Sequence, residues 1–312
     1  MARLNPGAHA LLARQHGVAS TQQLLDSGMS QRQLRRLQHH GALELVLRGA
    51  YRTPSAPITE LSQCAAVCAA RPDVAIAGPT AGRLWGFRRL PPDRRIHVIA
   101  PRASNPAIAR WVVPYRTDAR HDHDLVERDD GIRVTSRTRT AFDLARWLGP
   151  DDLLSVIEQA AHDGRLGDDE FLAVAADWIS PRRPWAREFL QALDRRLPGG
   201  PAESHPEVRV AGALGRAGVR GLVRQHCIQL PGHGDVRFDL AVPELRWAIE
   251  VDLHPRHRET MGIASDTRRD RAASAIGWST SRITETQYDH RFNETIADLT
   301  FVHAGLRRRL AG

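Results

Sequence analysis

Three acidic residues stand in a stretch that otherwise reads as β-strand. In "DVRFDLAVPELRWAIEVDLHPRH", residues 235–257, Asp239, Glu250 and Asp252 interrupt two runs of alternating apolar side chains. Strands deplete acidic residues, and clustered carboxylates repel unless something positive lies between them. A metal ion, the Arg population or plain solvent could play that part. Val236, Phe238 and Leu240 alternate with Arg237, Asp239 and Ala241, and Trp247, Ile249 and Val251 with Ala248, Glu250 and Asp252. Each half therefore reads as a strand with one apolar face, and "PEL" as the turn between them. A tight hairpin centred between Glu244 and Leu245 sets Asp239 opposite Glu250, with Cβ atoms about 5 Å apart on one face. Two carboxylates so placed suit a hard divalent cation, Mg²⁺ where phosphate is the other ligand, with Mn²⁺ as its substitute. The competing reading is a solvated hairpin whose acids pair with Arg237, Arg246 or Arg282.

The flanking segments supply the elements that would hold such a pair. Upstream, "SHPEVRVAGALGRAG" reads as a helix with Ser204 as N-cap and Glu207 in its first turn. The strand "VRQHCIQL" precedes the hairpin, and the helix "IASDTRRDRAASAIG" and strand "WSTSRIT" follow it. This α-β-β-β-α-β order, with acids on strands two and three, resembles the PD-(D/E)XK nuclease fold. More closely it resembles the very-short-patch-repair-endonuclease-like domain. The residues that carry the resemblance are "ESHPE" (Glu203, Glu207), "FDLAVPE" (Asp239), "AIEVD" (Glu250, Asp252), "D..R" (Asp266, Arg269) and "GW...R" (Trp278, Arg282), across about 200–310. It implies that Asp239 and Glu250 bind Mg²⁺ and that Glu207 completes the site from its helix. Asp252 stands where the nuclease motif has Lys, and "DL" stands where the subgroup has "DG". His257 or His254 would then handle protons, His being the usual general acid–base.

The N-terminal residues offer different chemistry. All 44 basic residues are Arg, and residues 1–55 hold seven of them against two acids. That segment is the electrostatic candidate for a polyanion. "PGAHALLARQHG" reads as a helix; Ser20 can cap "STQQLLDSG" and Ser30 can cap "SQRQLRRLQHHG". "DSGM" joins the last two as in a helix-turn-helix, and "ALELVLRGAYRT" reads as a two-stranded wing turning at Gly49. The third helix points Leu34 and Leu37 inward and leaves Gln31, Arg32, Arg35 and Arg36 outside. Gln and Arg are the side chains that read adenine and guanine edges in the major groove. Arg48 and Arg52 of the wing join them as DNA-binding candidates, double-stranded DNA being the expected partner.

"GVASTQQLLDSGMSQRQLRRLQHHGALELVLRGAYR" resembles the N-terminal winged helix of AbiEi-type antitoxins of type IV toxin–antitoxin systems. "PTAGRLWGF" and "VTSRTRTAFDLAR" resemble stretches of the domain that follows in such proteins, so the likeness covers about half the chain. It implies DNA binding of an autoregulatory kind, and a cognate toxin as the partner class.

Length and pattern place these pieces in a mixed α/β chain of 312 residues. The expected domains are a winged helix (1–55), an antitoxin-like α+β middle domain (56–199) and a restriction-endonuclease-like domain with a mixed sheet (200–312), the last boundary set by "RRLPGGPAES". Cys64, Cys68 and Cys227 make neither a disulfide framework nor a zinc set, and the first two read as buried helix residues. His121, Asp122, His123 and Asp124 in "RHDHDL" could bind a metal; a solvated loop is the preferred reading. No apolar run approaches the ~18 residues of a membrane span, and the first residues lack a secretory core, so a cytoplasmic protein is expected. Two functions emerge: a DNA-bound, metal-dependent endonuclease, or a non-catalytic antitoxin-like repressor.

Overall fold

Two Ser residues start the helices that the N-terminal reading depends on. In the computed structural model, helix α1 (Pro6–Arg14) leads through β1 (Val18–Ser20) into α2 (Thr21–Asp26) and α3 (Gln31–His39). Ser20 and Ser30 each accept the backbone N–H three residues on, while Gln23 and Gln33 reach back to the cap residue's own N–H. These capping boxes satisfy donors that the helix leaves open. Strands β2 (Glu44–Leu47) and β3 (Ala50–Arg52) form the wing, and β1 joins them in the order β1-β3-β2. The third strand, only three residues long, is too short to announce itself by alternation. Leu12, Leu24, Leu34, Leu37 and Leu43 close the small core.

The residues described are 3–104, 108–117, 122–167, 169, 171–172, 176, 184–230, 232, 234–253 and 260–311, without the side chains of Asp122, Pro184 and 260–267. They form two compact units, Met1–Leu148 with Asp169–Ala186, and Gly149–Asp168 with Arg187–Gly312.

In the first unit, α4 (Glu60–Ala70) packs its small residues, Cys64 and Cys68 among them, against the wing strands and a five-stranded sheet. That sheet contains β4 (Ala75–Ile76), β5 (Ile96–Ala100), β6 (Val112–Arg116), β7 (Leu125–Glu127) and β8 (Arg133–Thr135), in the order β6-β5-β4-β8-β7. Helices α5 (Gly78–Leu84) and α6 (Arg137–Leu144) carry the "PTAGRLWGF" and "RTRTAFDLAR" stretches and pack together. Trp85 Nε1 donates to Thr135 O at 2.8 Å and its ring lies under Arg137. The acidic loop before β7 departs from the solvated reading. Asp124 is fully buried and faces Arg139 of α6, while His121 and the Asp122 side chain lie outside the described residues.

The second unit gathers α7 (Pro150–Gly164), the end of α8 (Pro184–Asp194), α9 (His205–Arg216) and β9 (Val223–Leu230). After them come β10 (Gly234–Val242), β11 (Trp247–Asp252), α10 (Thr260–Ala275), β12 (Ser279–Thr284), α11 (Glu285–His290) and α12 (Phe292–Ala311). The α-β-β-β-α-β order of α9 to β12 is the one read from sequence. The sheet runs β12-β11-β10-β9; its first three strands in sequence are antiparallel neighbours, and β12 joins β11 in parallel. A parallel neighbour needs a crossover, and α10 provides it.

A buried charge cluster locks this unit. Glu158 of α7 has no solvent exposure and takes Arg196 at 3.1 Å, Arg224 of β9 at short range, and the Ala202 N–H at 3.2 Å. Arg224 Nη2 also donates to Leu197 O at 2.9 Å, and the Arg224 N–H to Pro198 O at 2.8 Å. Gly199, at φ +103°, lies so close that a Cβ there would stand 2.0 Å from Arg224 O. Substituting Glu158→Gln strands two buried guanidinium groups. A loss of about 3–5 kcal/mol is expected, read as a lower urea midpoint of the full chain.

Candidate functional site

The acidic hairpin has the register set by its turn. Leu240 pairs with Ile249, Ala241 with Ala248 and Val242 with Trp247. Pro243–Leu245 forms a single 3₁₀ turn, closed by Arg246 at φ +47°. Beyond the last of these pairs, Asp239 Oδ2 accepts the Val251 N–H at 2.9 Å, and the Asp239 and Glu250 carboxyl groups interact directly.

The strands themselves differ from the single apolar face expected. Phe238 packs with Trp278 and Ala273 under α10, whereas Leu240 packs with Trp247 and Ile249 in the other core. The faces swap at Asp239 and at Gln225 opposite it, where Gln225 sits at φ +48°. A sheet buried on both sides has apolar residues on both faces, so alternation alone cannot show which face each one takes.

Burial decides the electrostatics. Glu250 is 7% exposed. Desolvation, then the neighbouring Asp239 charge, push its carboxyl up to about 7, against the pull of Arg269 and Arg282. Arg269 Nη2 reaches Glu250 Oε1 at 2.8 Å. Of the other arginines considered as partners, Arg237 pairs with Glu203 and Arg246 with Ile276 O, while Arg282 pairs with Asp270 and still acts on Glu250. Glu207, in the first turn of α9, is also buried, and burial raises its carboxyl above the ordinary range with a further push from Asp239. Ser204 Oγ donates to it at 2.6 Å, the Glu203 N–H at 3.1 Å and Gln225 Nε2 at 3.0 Å.

Glu207 and Glu250 thus each feel the charge of Asp239. Asp252, two residues beyond Glu250 and half-buried, ends the strand. His254 and His257 lie outside the described residues, as does the Asp266 side chain. Among the described residues, no group of three or more His, Cys, Asp or Glu is gathered as a ready-made metal ligand set. Sequence reasoning missed Gln225 and the Glu250–Arg269 pair. Neither has a local signal, since one depends on a strained backbone and the other on a helix placed by a crossover.

The N-terminal candidates form a second surface. Gln31, Arg32, Arg35 and Arg36 are all exposed on one side of α3, with Leu34 and Leu37 buried on the other. Arg48 is exposed at the wing turn. Arg52 is turned back onto its own ribbon instead, bonded to Glu44 Oε2 at 2.7 Å and Ala56 O at 2.9 Å.

Residues 10–54 match a family model described as "Transcriptional regulator, AbiEi antitoxin". The match takes in α2, α3 and the wing. A solved structure titled "Crystal structure of RV2827C protein from Mycobacterium tuberculosis" is similar at 18% identity, with 67% of this chain and 82% of that chain covered and a TM-score of 0.37. No curated protein matches the chain. Among the described residues no helix is long and apolar enough to cross a membrane.

The raised Glu250 carboxyl has a consequence opposite in sign to that of a salt-bridged acid. The folded protein holds this proton between about pH 4.5 and 7, where the unfolded chain has released it. Its contribution is therefore fully present below pH 4.5 and is lost as pH rises through about 7. Glu250→Gln should remove a few kcal/mol of this pH dependence, measured as urea midpoints of both proteins between pH 5 and 8.

Proposed function

We propose that this protein is a DNA-binding regulator that reads duplex DNA with α3. The observation that carries this reading is the division of α3 into two faces. Leu34 and Leu37 fix the helix to its core, and Gln31, Arg32, Arg35 and Arg36 are left together in solvent. Neither arginine of the central pair, Arg35 or Arg36, has an ion-pair partner among the described residues. The guanidinium fork suits guanine O6 and N7, and the Gln amide suits adenine N6 and N7. Exposed Arg48 on the wing turn is the candidate for a phosphate contact, whereas Arg52 braces the wing through Glu44. The match over residues 10–54 to an antitoxin-type transcriptional regulator points the same way. On that likeness a cognate toxin is the second partner class, and the cytoplasm, where the DNA is, the place of action.

A second reading, a divalent-metal-dependent endonuclease, is favoured by one observation: the direct interaction of buried Glu250 with half-buried Asp239 within the α-β-β-β-α-β unit. The donor set fits a hard cation, because a carboxyl whose affinity for a proton is raised by burial beside a second carboxylate can exchange that proton for Mg²⁺ or Mn²⁺. Asp239 and Glu250 would hold the ion, with Glu207 beside them. There the ion would lower the pKa of a water and stabilise charge on phosphate. Arg269, already on Glu250, would keep that side chain oriented.

Salt dependence reports the phosphate charge that a protein neutralises, whichever sequence is bound. Each phosphate contact contributes about 0.9 to the slope of log affinity against log salt. Arg35→Ala with Arg36→Ala should flatten that slope by about 2 in a duplex-binding titration. Equal slopes and equal affinities in wild type and double variant would remove α3 from the interface. For the second reading, supercoiled plasmid is incubated with Mg²⁺ or Mn²⁺, and with chelator. Nicking that needs the metal and disappears in Asp239→Asn is the expected result; intact plasmid under every condition leaves the regulator alone.

A further inference from the structure

A cleft of about 290 Å³ lies in the first unit, between the start of α2, helix α4 and the β7–β8 turn. It is separate from the exposed face of α3 and from the carboxylate pair, and it belongs to neither reading above. Its size falls at the lower end of small-molecule sites.

One wall is an amide that no described protein group bonds. Gln15 is 6% exposed. Its backbone is satisfied, with its N–H on Leu11 O at 3.0 Å and its C=O taking the Val18 N–H at 3.0 Å. Its side-chain amide has no hydrogen-bond partner among the described residues, and it lines the cleft. The amide lies against Gly131, at φ +75°, where a Cβ would stand 2.4 Å from Gln15 Nε2. Neither amide atom is among the buried atoms left without a partner, so the amide opens onto the cleft. An amide that no protein group bonds and that opens only there can take its hydrogen bonds from a molecule in the cleft.

The remaining wall shows the sign of the visitor. Glu127 carries an exposed carboxylate with no ion-pair partner among the described residues. Asp130 is beside it but committed, at 3.0 Å from Arg128 and 2.9 Å from His16. The one cationic side chain in the lining, Arg133, is taken up by backbone carbonyls, with Nη2 on Cys68 O at 3.0 Å and Nη1 on Pro72 O. An anion would therefore meet two carboxylates and an occupied guanidinium. A planar group with several N–H donors would meet a free carboxylate and a free amide oxygen. Such a fork matches a carboxylate in two parallel hydrogen bonds.

We propose that this cleft binds a small molecule bearing a guanidine group, its N–H donors taken by the Gln15 amide oxygen and the Glu127 carboxylate. An alkylguanidinium and the guanine edge of a nucleoside both present that chemistry. The two are distinguished by probing the full chain with agmatine and with guanosine, each at millimolar concentration, while following the melting temperature. One of the two should raise it, and the one that does identifies the source. Gln15→Leu should abolish the rise while the variant without ligand still melts in one transition near wild type, because no protein hydrogen bond is lost with the amide. Glu127→Gln, at an exposed position that leaves the fold intact, should reduce the rise at every concentration. No rise with either probe overturns the site, as does an undiminished rise in Glu127→Gln or in a folded Gln15→Leu.

Discussion

The C-terminal unit is organised around one carboxylate that no solvent reaches. Glu158 brings together helix α7, the segment around Arg196–Ala202 and the first residues of strand β9. Two guanidinium groups and a backbone N–H converge on it, so its lone pairs are filled from three parts of the chain. Charges so far from water are tolerated only when paired and hydrogen-bonded on all sides. Strand β9 therefore enters the sheet at a fixed height, with Arg224 as the pin. The next residue, Gln225, takes the left-handed backbone and turns its amide onto Glu207. What happens at the carboxylates is downstream of that pin.

The carboxylate pair is built against the grain of the sheet around it. Asp239 and Glu250 sit where apolar residues would pack better, and the repulsion between them is met by a retained proton and by Arg269. Glu207 is different, since each of its bonds is one that a helix start can use. Ser204 and the Glu203 N–H would hold it in place whether or not a cation ever came. A carboxylate can cap a helix and face a site at once.

How much of this was legible follows from how local each cause is. Ser20 and Ser30 act within four residues, and both caps were readable. So was the hairpin, because a tight turn fixes the register of everything that follows it. The strand faces were not, because β10 is covered on both sides and swaps them at Asp239. Strand β1 was too short to show a period. Asp124 read as solvated because the partner that buries it, Arg139, lies fifteen residues away on α6. Arg52 read as a DNA contact because basic composition carries no information about Glu44 and Ala56 O.

"RRLPGG" reads in sequence as a breaker, but in the fold it touches an exposed rim. Strand β9 is the outermost of the four-stranded sheet, and an unpaired outer strand is a template on which another chain can add itself. Gly199 forms a bridge with Arg224, covering the beginning of that rim with the protein's own backbone. Only a residue without a side chain can lie so near the Arg224 carbonyl. The loop thus covers the start of an edge that would otherwise be open to another strand, and the missing side chain of Gly199 is what lets it sit flush.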